Sequence, residues 1–427
     1  MSHRQTRVRP RRALGVSLLV MASAGLMTPG GAEPPAPGLP GPLAAKVRVI
    51  QKGLSELRGL EYREAIQART MDERQVRDFL LRKLMHEYPD EKLIAEQVAW
   101  VHLGFLDPGD DLKRLFVGML TEQAAGFYDP DDSRLIVVTG KAFPGLALVH
   151  ELAHALADQV FDLGKLLNGA RGDDDRLMAV SAMVEGEAQA LSMTYVHSSA
   201  GAGMMEEEVI VPGESATAAN EESIEIPRML QHSFTFPYTQ GMAWASEVAR
   251  NRGQTAMDAF YREPPDSTEQ IMHPEKSAPP RDLPSAIDDG FLRLTDPLLR
   301  EAGDDVVKEN VLGEFSIREL FGGSADAAAV AAAAGWDGDR FRIARDRGGR
   351  TAMIWITAWD SAADAAEFLD RAAVWLGGRH PDPAAFRIGR CGPEGRLVRV
   401  IEGFEPGLTE RIASVLDPAV SGKVTLR

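Results

Sequence analysis

The chain has 427 residues, 44% of them hydrophobic and 26% charged, with a formal net charge of −16. That length holds two or three domains with sizeable cores, and the composition is ordinary for a soluble globular protein. The first 32 residues carry five arginines and no acid, so without them the charge falls from −16 to −21. A body that acidic repels phosphate backbones and anionic lipid, which argues against nucleic acid as a partner.

The N-terminus has the three parts of an export signal. A basic stretch through Arg12 precedes an apolar run from Ala13 to Met27, and the small-residue segment Pro29-Gly30-Gly31-Ala32 offers a cleavage site before Glu33. The expectation is a signal peptide over 1–32 and a mature chain that is secreted or periplasmic. The apolar run is too short for a comfortable membrane span, and no later stretch is long enough for one. Cys391 is the only cysteine, which excludes an intrachain disulfide and suits a small buried hydrophobe.

Residues 33–43 form a Pro/Gly linker. Acidic starts and apolar spacing then predict helices over Asp72–Glu87, Asp90–Leu103 and Asp111–Gln123. The turn Pro130-Asp131-Asp132-Ser133 between two apolar runs predicts a hairpin of Ala125–Asp129 with Arg134–Val138. Pro144 opens a helix to about Asp162, and another follows from Asp175 to about Tyr195. Residues 198–225 are rich in Ser, Gly, Ala and Glu and are expected to form a loop. Helices are expected at Gly241–Arg252 and Thr255–Tyr261, then irregular Pro-rich chain over 263–285. The Ala-rich stretch 325–334 makes 301–335 a helical connector. From 336 the texture turns to mixed α/β: strands at Phe341–Asp346, Thr351–Trp359 and Arg396–Glu402, helices at Ser361–Leu376 and Leu408–Leu416. Trp355 and Trp359 are expected to face one core. The fold class is therefore α+β: a mostly helical domain over 44–300 with a small sheet beside its central helix, and a small α/β accessory domain over 336–427.

The chemistry lies in His150-Glu151-Leu152-Ala153-His154, which matches H-E-x-x-H between the apolar flanks Ala147-Leu148-Val149 and Ala155-Leu156-Ala157. Residues four apart share a helical face, so both imidazoles can reach one ion, and Glu151 lies beside it, placed to take a proton from an attacking water. A third protein ligand is needed. Ala157 and Val160 exclude the H-E-x-x-H-x-x-G-x-x-H pattern. The next helix offers Glu185-Gly186-Glu187. These glutamates point about 200° apart, so one faces the metal. Placing Met178, Ala182 and Leu191 on the buried face favours Glu185 over Glu187. Gly186 would allow the helices of the two motifs to approach closely.

Gly126-Phe127-Tyr128-Asp129-Pro130, His150 through Gln159 and Val184-Glu185-Gly186-Glu187-Ala188, taken in this order, resemble the gluzincin superfamily, and within it poorly characterised bacterial exported metallopeptidases. The resemblance covers about residues 120–275. It implies Zn2+ held by His150, His154 and Glu185, with Glu151 as general base in hydrolysis of a peptide or protein substrate. The later segment Ser267-Thr268-Glu269-Gln270 with His273-Pro274 belongs to the same pattern, without an assigned role. Asp158 and Asp175 are candidates to orient a ligand imidazole. His273 and Tyr238 are candidates to donate to the oxyanion of a tetrahedral intermediate. Two other functions fit the sequence: a catalytically silent zinc-site binding or scaffold protein, and an exported amidase acting on cell-wall peptide.

Overall fold

A computed structural model describes residues 41–210 and 225–425. The expected signal peptide, most of the linker and much of the expected 198–225 loop lie outside the described residues. The fold is α+β, helix-rich with small sheets.

Helix α1 (Gly41–Arg58) opens the described chain. It takes in the last residues of the expected linker, because Pro42 sits in the first turn, where its missing N–H costs nothing. Leu43, Val47, Ile50 and Leu54 recur at helical spacing and are buried. Strand β1 (Gln67–Met71), α2 (Glu73–Glu87), α3 (Asp90–Leu103) and α4 (Leu112–Gln123) follow. The hairpin forms as expected from β2 (Gly126–Asp129) and β3 (Arg134–Val138). It is not alone: β1 pairs parallel with β3, giving a three-stranded sheet in the order β1-β3-β2. Next come β4 (Ala142–Pro144), α5 (Gly145–Phe161), α6 (Leu163–Gly169) and α7 (Asp174–Val196). Strand β5 (Glu208–Ile210) pairs with β4, so the expected loop begins with ordered chain.

Helix α8 (Arg228–Arg252) starts well before the expected Gly241 and runs through Pro237. Short elements follow: α9 (Met257–Arg262), α10 (Thr268–Met272), β6 (Ala286–Ile287), α11 (Asp289–Leu292) and α12 (Asp296–Ala302). The segment expected as a helical connector instead opens with strand β7 (Asp305–Asn310), then α13 (Gly313–Phe321) and α14 (Ala327–Ala333). The chain ends with β8 (Trp336–Arg345), β9 (Thr351–Trp359), α15 (Ala362–Arg379), β10 (Phe386–Cys391), β11 (Leu397–Glu402), α16 (Pro406–Lys423) and β12 (Val424–Thr425).

Two compact units result. One comprises the described residues up to 87, 113–165 and 188–210; the other comprises 88–112, 166–187 and 225 onward. The dividing point falls inside α7, which is one continuous helix. In the first unit α5 is the central element. Its residues from Gly145 to Ala157 are all buried, packed with α1 side chains, Leu135, Val137 and Tyr195. Residues 41–71 are therefore core: removing α1 would strip the apolar cover from α5, and removing β1 would unpair one edge of β3.

The second unit holds a five-stranded antiparallel sheet in the order β10-β11-β9-β8-β7. Alternation along β9 sends Ile354, Ile356 and Ala358 into the core that α16 covers, and Trp355 and Trp359 to the opposite face. There both tryptophans pack on Phe368 of α15, with ring centroids 5.2 and 4.7 Å apart. Ser361 caps α15 by accepting from the backbone of Ala363 and Asp364. Cys391 is buried in the same core.

Candidate metal centre

Helix α5 begins where Pro144 holds extended backbone (φ −59°, ψ 140°) and ends where Asp162 turns left-handed (φ 60°). From Gly145 to Ala157 every residue is buried, His150, Glu151 and His154 among them. The imidazoles stand one turn apart with their ring planes at 89° and their Nε2 atoms 2.9 Å apart. Glu185 on α7 joins them: one ligand atom from each of His150, His154 and Glu185 lies within 4.8 Å of the others. Two imidazoles and one carboxylate are a zinc donor set. The Nε2 separation is slightly under the roughly 3.3 Å expected between two ligands of a tetrahedral zinc with bonds of about 2.05 Å. The residues present fit the ion.

Amphipathicity does not separate the two glutamates of α7. Residues 179–189 are buried all round, Glu187 as much as Glu185, so neither forms a solvated acidic face. Their partners separate them. Glu187 accepts from the Tyr261 hydroxyl and from Gln254 Nε2 at 3.4 Å, whereas Glu185 groups with the histidines. Gly186 does permit a close helix approach, but to α8: a Cβ added there would lie 2.1 Å from the Gly241 carbonyl carbon.

Glu151 is held by the hairpin. Its Oε2 accepts from the backbone N–H of Tyr128 at 2.8 Å. The Tyr128 hydroxyl donates to Asp158 Oδ2 at 2.8 Å, two turns along α5 from Glu151, and Asp158 Oδ1 accepts from Leu163 N at 2.9 Å. Asp158, expected to orient an imidazole, thus binds a phenol and a backbone amide. Burial raises the pKa values of both the Asp158 carboxyl and the Tyr128 phenol. Tyr128 is the residue that sequence reasoning missed. It stood in the quoted motif, but nothing in the sequence reports that its amide faces Glu151.

Asp175 likewise has other work. It accepts from both the amide and the hydroxyl of Thr268, whose hydroxyl oxygen in turn accepts from Phe315 N at 3.2 Å. Burial pushes the Asp175 carboxyl well above the usual range. The Ser267–Gln270 segment is a buried structural joint: Ser267 caps α10, and the Gln270 side chain donates to Asp282 O and accepts from Arg281 and the Asp266 amide. His273 is paired with Glu314 at 3.0 Å, and that hydrogen bond raises the imidazole pKa. It does not join the ligand group. Tyr238 is half-buried on α8, one turn before Gly241.

A second group of carboxylates, Glu269, Asp282 and Asp360, also comes within 4.8 Å. Its centre is taken by the Lys276 ammonium, at 2.7, 2.9 and 2.6 Å from the three.

A family model described as a domain of unknown function, DUF8575, matches residues 300–405. The match takes in β7 through β11, so its start agrees with a sheet that begins before residue 336, and it does not reach α5 or α7. No curated protein and no solved structure matches the chain. Among the described residues no helix is long and apolar enough to cross a membrane.

Proposed function

We propose that the protein is an exported zinc-dependent metallopeptidase of the gluzincin type, acting on a peptide or protein substrate. One observation carries the reading. Ligand atoms of His150, His154 and Glu185 converge within 4.8 Å, while the Glu151 carboxylate, on the same helix as the histidines, is already oriented by Tyr128 N–H.

His150, His154 and Glu185 would hold the ion, which when bound supplies Lewis acidity toward water and a carbonyl oxygen. Glu151 takes a proton from the attacking water and delivers it to the leaving amine. The Tyr128 amide holds Oε2 of the Glu151 carboxylate, which orients the base for that transfer. The buried, apolar surroundings of α5 keep bulk water from competing with these contacts. Export follows from the N-terminal basic and apolar segments, and the net acidity favours substrates other than nucleic acid.

Elemental analysis of the purified full chain, paired with a peptide-library digest, tests the reading. The expected result is one zinc per chain and cleavage abolished by a chelator and restored by zinc. A protein that holds no zinc when supplied with it overturns the site. Cleavage of peptidoglycan stems with no cleavage of casein would shift the substrate to cell-wall peptide.

A further inference from the structure

Because α7 is buried on every side where it carries Glu185, hydrophobicity alone leaves the rotation of the helix about its axis unspecified. Yet a rotation of one residue, about 100°, would replace Glu185 by a neighbour. The backbone supplies the missing constraint. Ala182 and Gly186 lie one turn apart on α7, and Gly241 of α8 sits against both. A Cβ on Gly186 would fall 2.1 Å from the Gly241 carbonyl carbon and 2.2 Å from its oxygen; a Cβ on Gly241 would fall 2.0 Å from the Ala182 carbonyl oxygen. At such distances the two helices touch through main chain, and any side chain there forces them apart. One residue on, Glu187 is fastened to Tyr261 of α9 and to Gln254. Both contacts hold the Gly186–Glu187 side of α7 toward α8 and α9.

We propose that this seam of Ala182, Gly186 and Gly241, with the Glu187–Tyr261 bond beside it, sets the rotational phase of α7 and so aims Glu185 at the two imidazoles. Gly186, Gly241 and Tyr261 are then positioning residues for the third zinc ligand. The inference rests on the zinc-site reading above. It accounts for a glycine between two buried glutamates, and it explains why Glu187, equally buried, is spent on a hydrogen-bonded anchor.

The test is zinc affinity of the full chain, measured by competition with a chromophoric chelator, with thermal unfolding of the metal-free protein recorded alongside. Gly241→Ala should weaken zinc binding roughly ten- to a hundredfold, the usual range for residues that orient ligands. In a Glu185→Gln background, where the two imidazoles keep only weak zinc binding that direct titration at high zinc reads, the same substitution should cost nothing further, because the ligand it aims is gone; a general loss of stability would instead add in both backgrounds. If Gly241→Ala does not fold, Tyr261→Phe decides: it inserts no atoms and should still weaken zinc severalfold through the loosened anchor. Unchanged affinity in a folded Gly241→Ala chain, or equal losses with and without Glu185, overturns the proposal while leaving the zinc site standing. Absence of zinc binding by the parent chain overturns the site itself, and the positioning role with it.

Discussion

Among the described residues, two clusters bring three ligand-type side chains within 4.8 Å: His150, His154 and Glu185, and Glu269, Asp282 and Asp360. They differ in chemistry and in what balances their charge. The second is all carboxylate, half open to solvent, and built around the Lys276 ammonium, whose pKa is raised: burial opposes the charged form, but hydrogen bonds to Asp360 and Glu269 outweigh it. The first is buried, carries at most one negative charge, and uses borderline nitrogen donors that suit zinc. Proximity of acids does not by itself mark a metal centre: in the second cluster an internal ammonium already balances the charge.

The largest effect expected from this contrast is loss of metal. His154→Ala and Glu185→Gln should each take zinc from one per chain to near zero by elemental analysis, while Glu187→Gln keeps zinc and most activity, since glutamine can still accept from Tyr261. A zinc-replete Glu185→Gln chain, or a zinc-free Glu187→Gln chain, reverses the assignment of the third ligand. Next comes turnover without metal loss. Glu151→Gln should retain zinc yet hydrolyse peptides at least about a hundredfold more slowly, the scale of a general base. Parent-like cleavage by that variant removes Glu151 from the mechanism.

How far these distinctions were legible in the sequence depended on whether they were local. Helix α5 and the hairpin were readable because period 3.6, Pro144 and a polar turn act within a few residues. Strand β1 was not: Gln67-Ala68-Arg69-Thr70-Met71 has no alternation and is a strand only because β3 lies beside it. Strand β7 was hidden in the same way, and the expectation of a helical connector gave too much weight to the alanines that follow. The first half of helix α8 is not legible locally, since it carries Pro237, which disfavours a helix interior. Glu185 was preferred for a reason that fails, since α7 has no exposed face there, and the grouping with the histidines depends on contacts far apart in sequence.

A third carboxylate sharpens the comparison through pH. Glu402 ends β11, fully buried, with His102 Nε2 at 2.6 Å on one oxygen and His380 on the other. Burial alone would raise its pKa, but the hydrogen bonds from His102 and His380 prevail and bring it down to about 2. A carboxyl depressed on folding contributes fully above its unfolded value near 4.5 and loses that contribution as pH falls toward 2. The expected loss is about 3 kcal/mol over that window. Denaturant titrations at pH 5 and pH 2.5 measure it, and Glu402→Gln should flatten the dependence. An unchanged slope in that variant would place the acid sensitivity elsewhere.

The smallest effect belongs to the lysine-centred cluster. Lys276→Met keeps an unbranched side chain of similar length but removes the ammonium that reaches Glu269, Asp282 and Asp360. Burial already raises the Glu269 carboxyl to about 8 beside Lys276, so without the ammonium it takes up a proton at pH 7 and leaves Asp282 and Asp360 as the charged pair facing each other. Breaking a fully buried ion pair costs about 3–5 kcal/mol; here Asp282 and Asp360 reach water, so about 2 kcal/mol is the expected loss at pH 7. The loss should shrink in acid, where the carboxylates take up protons and no longer repel. Zinc content should stay at one per chain, because three oxygen donors favour harder cations than zinc. Urea unfolding at pH 7 and pH 4, with elemental analysis of the same samples, reads all three outcomes. A second tightly held zinc in the Lys276→Met chain would show that the internal cation, and not the choice of nitrogen donors, is what separates the two clusters.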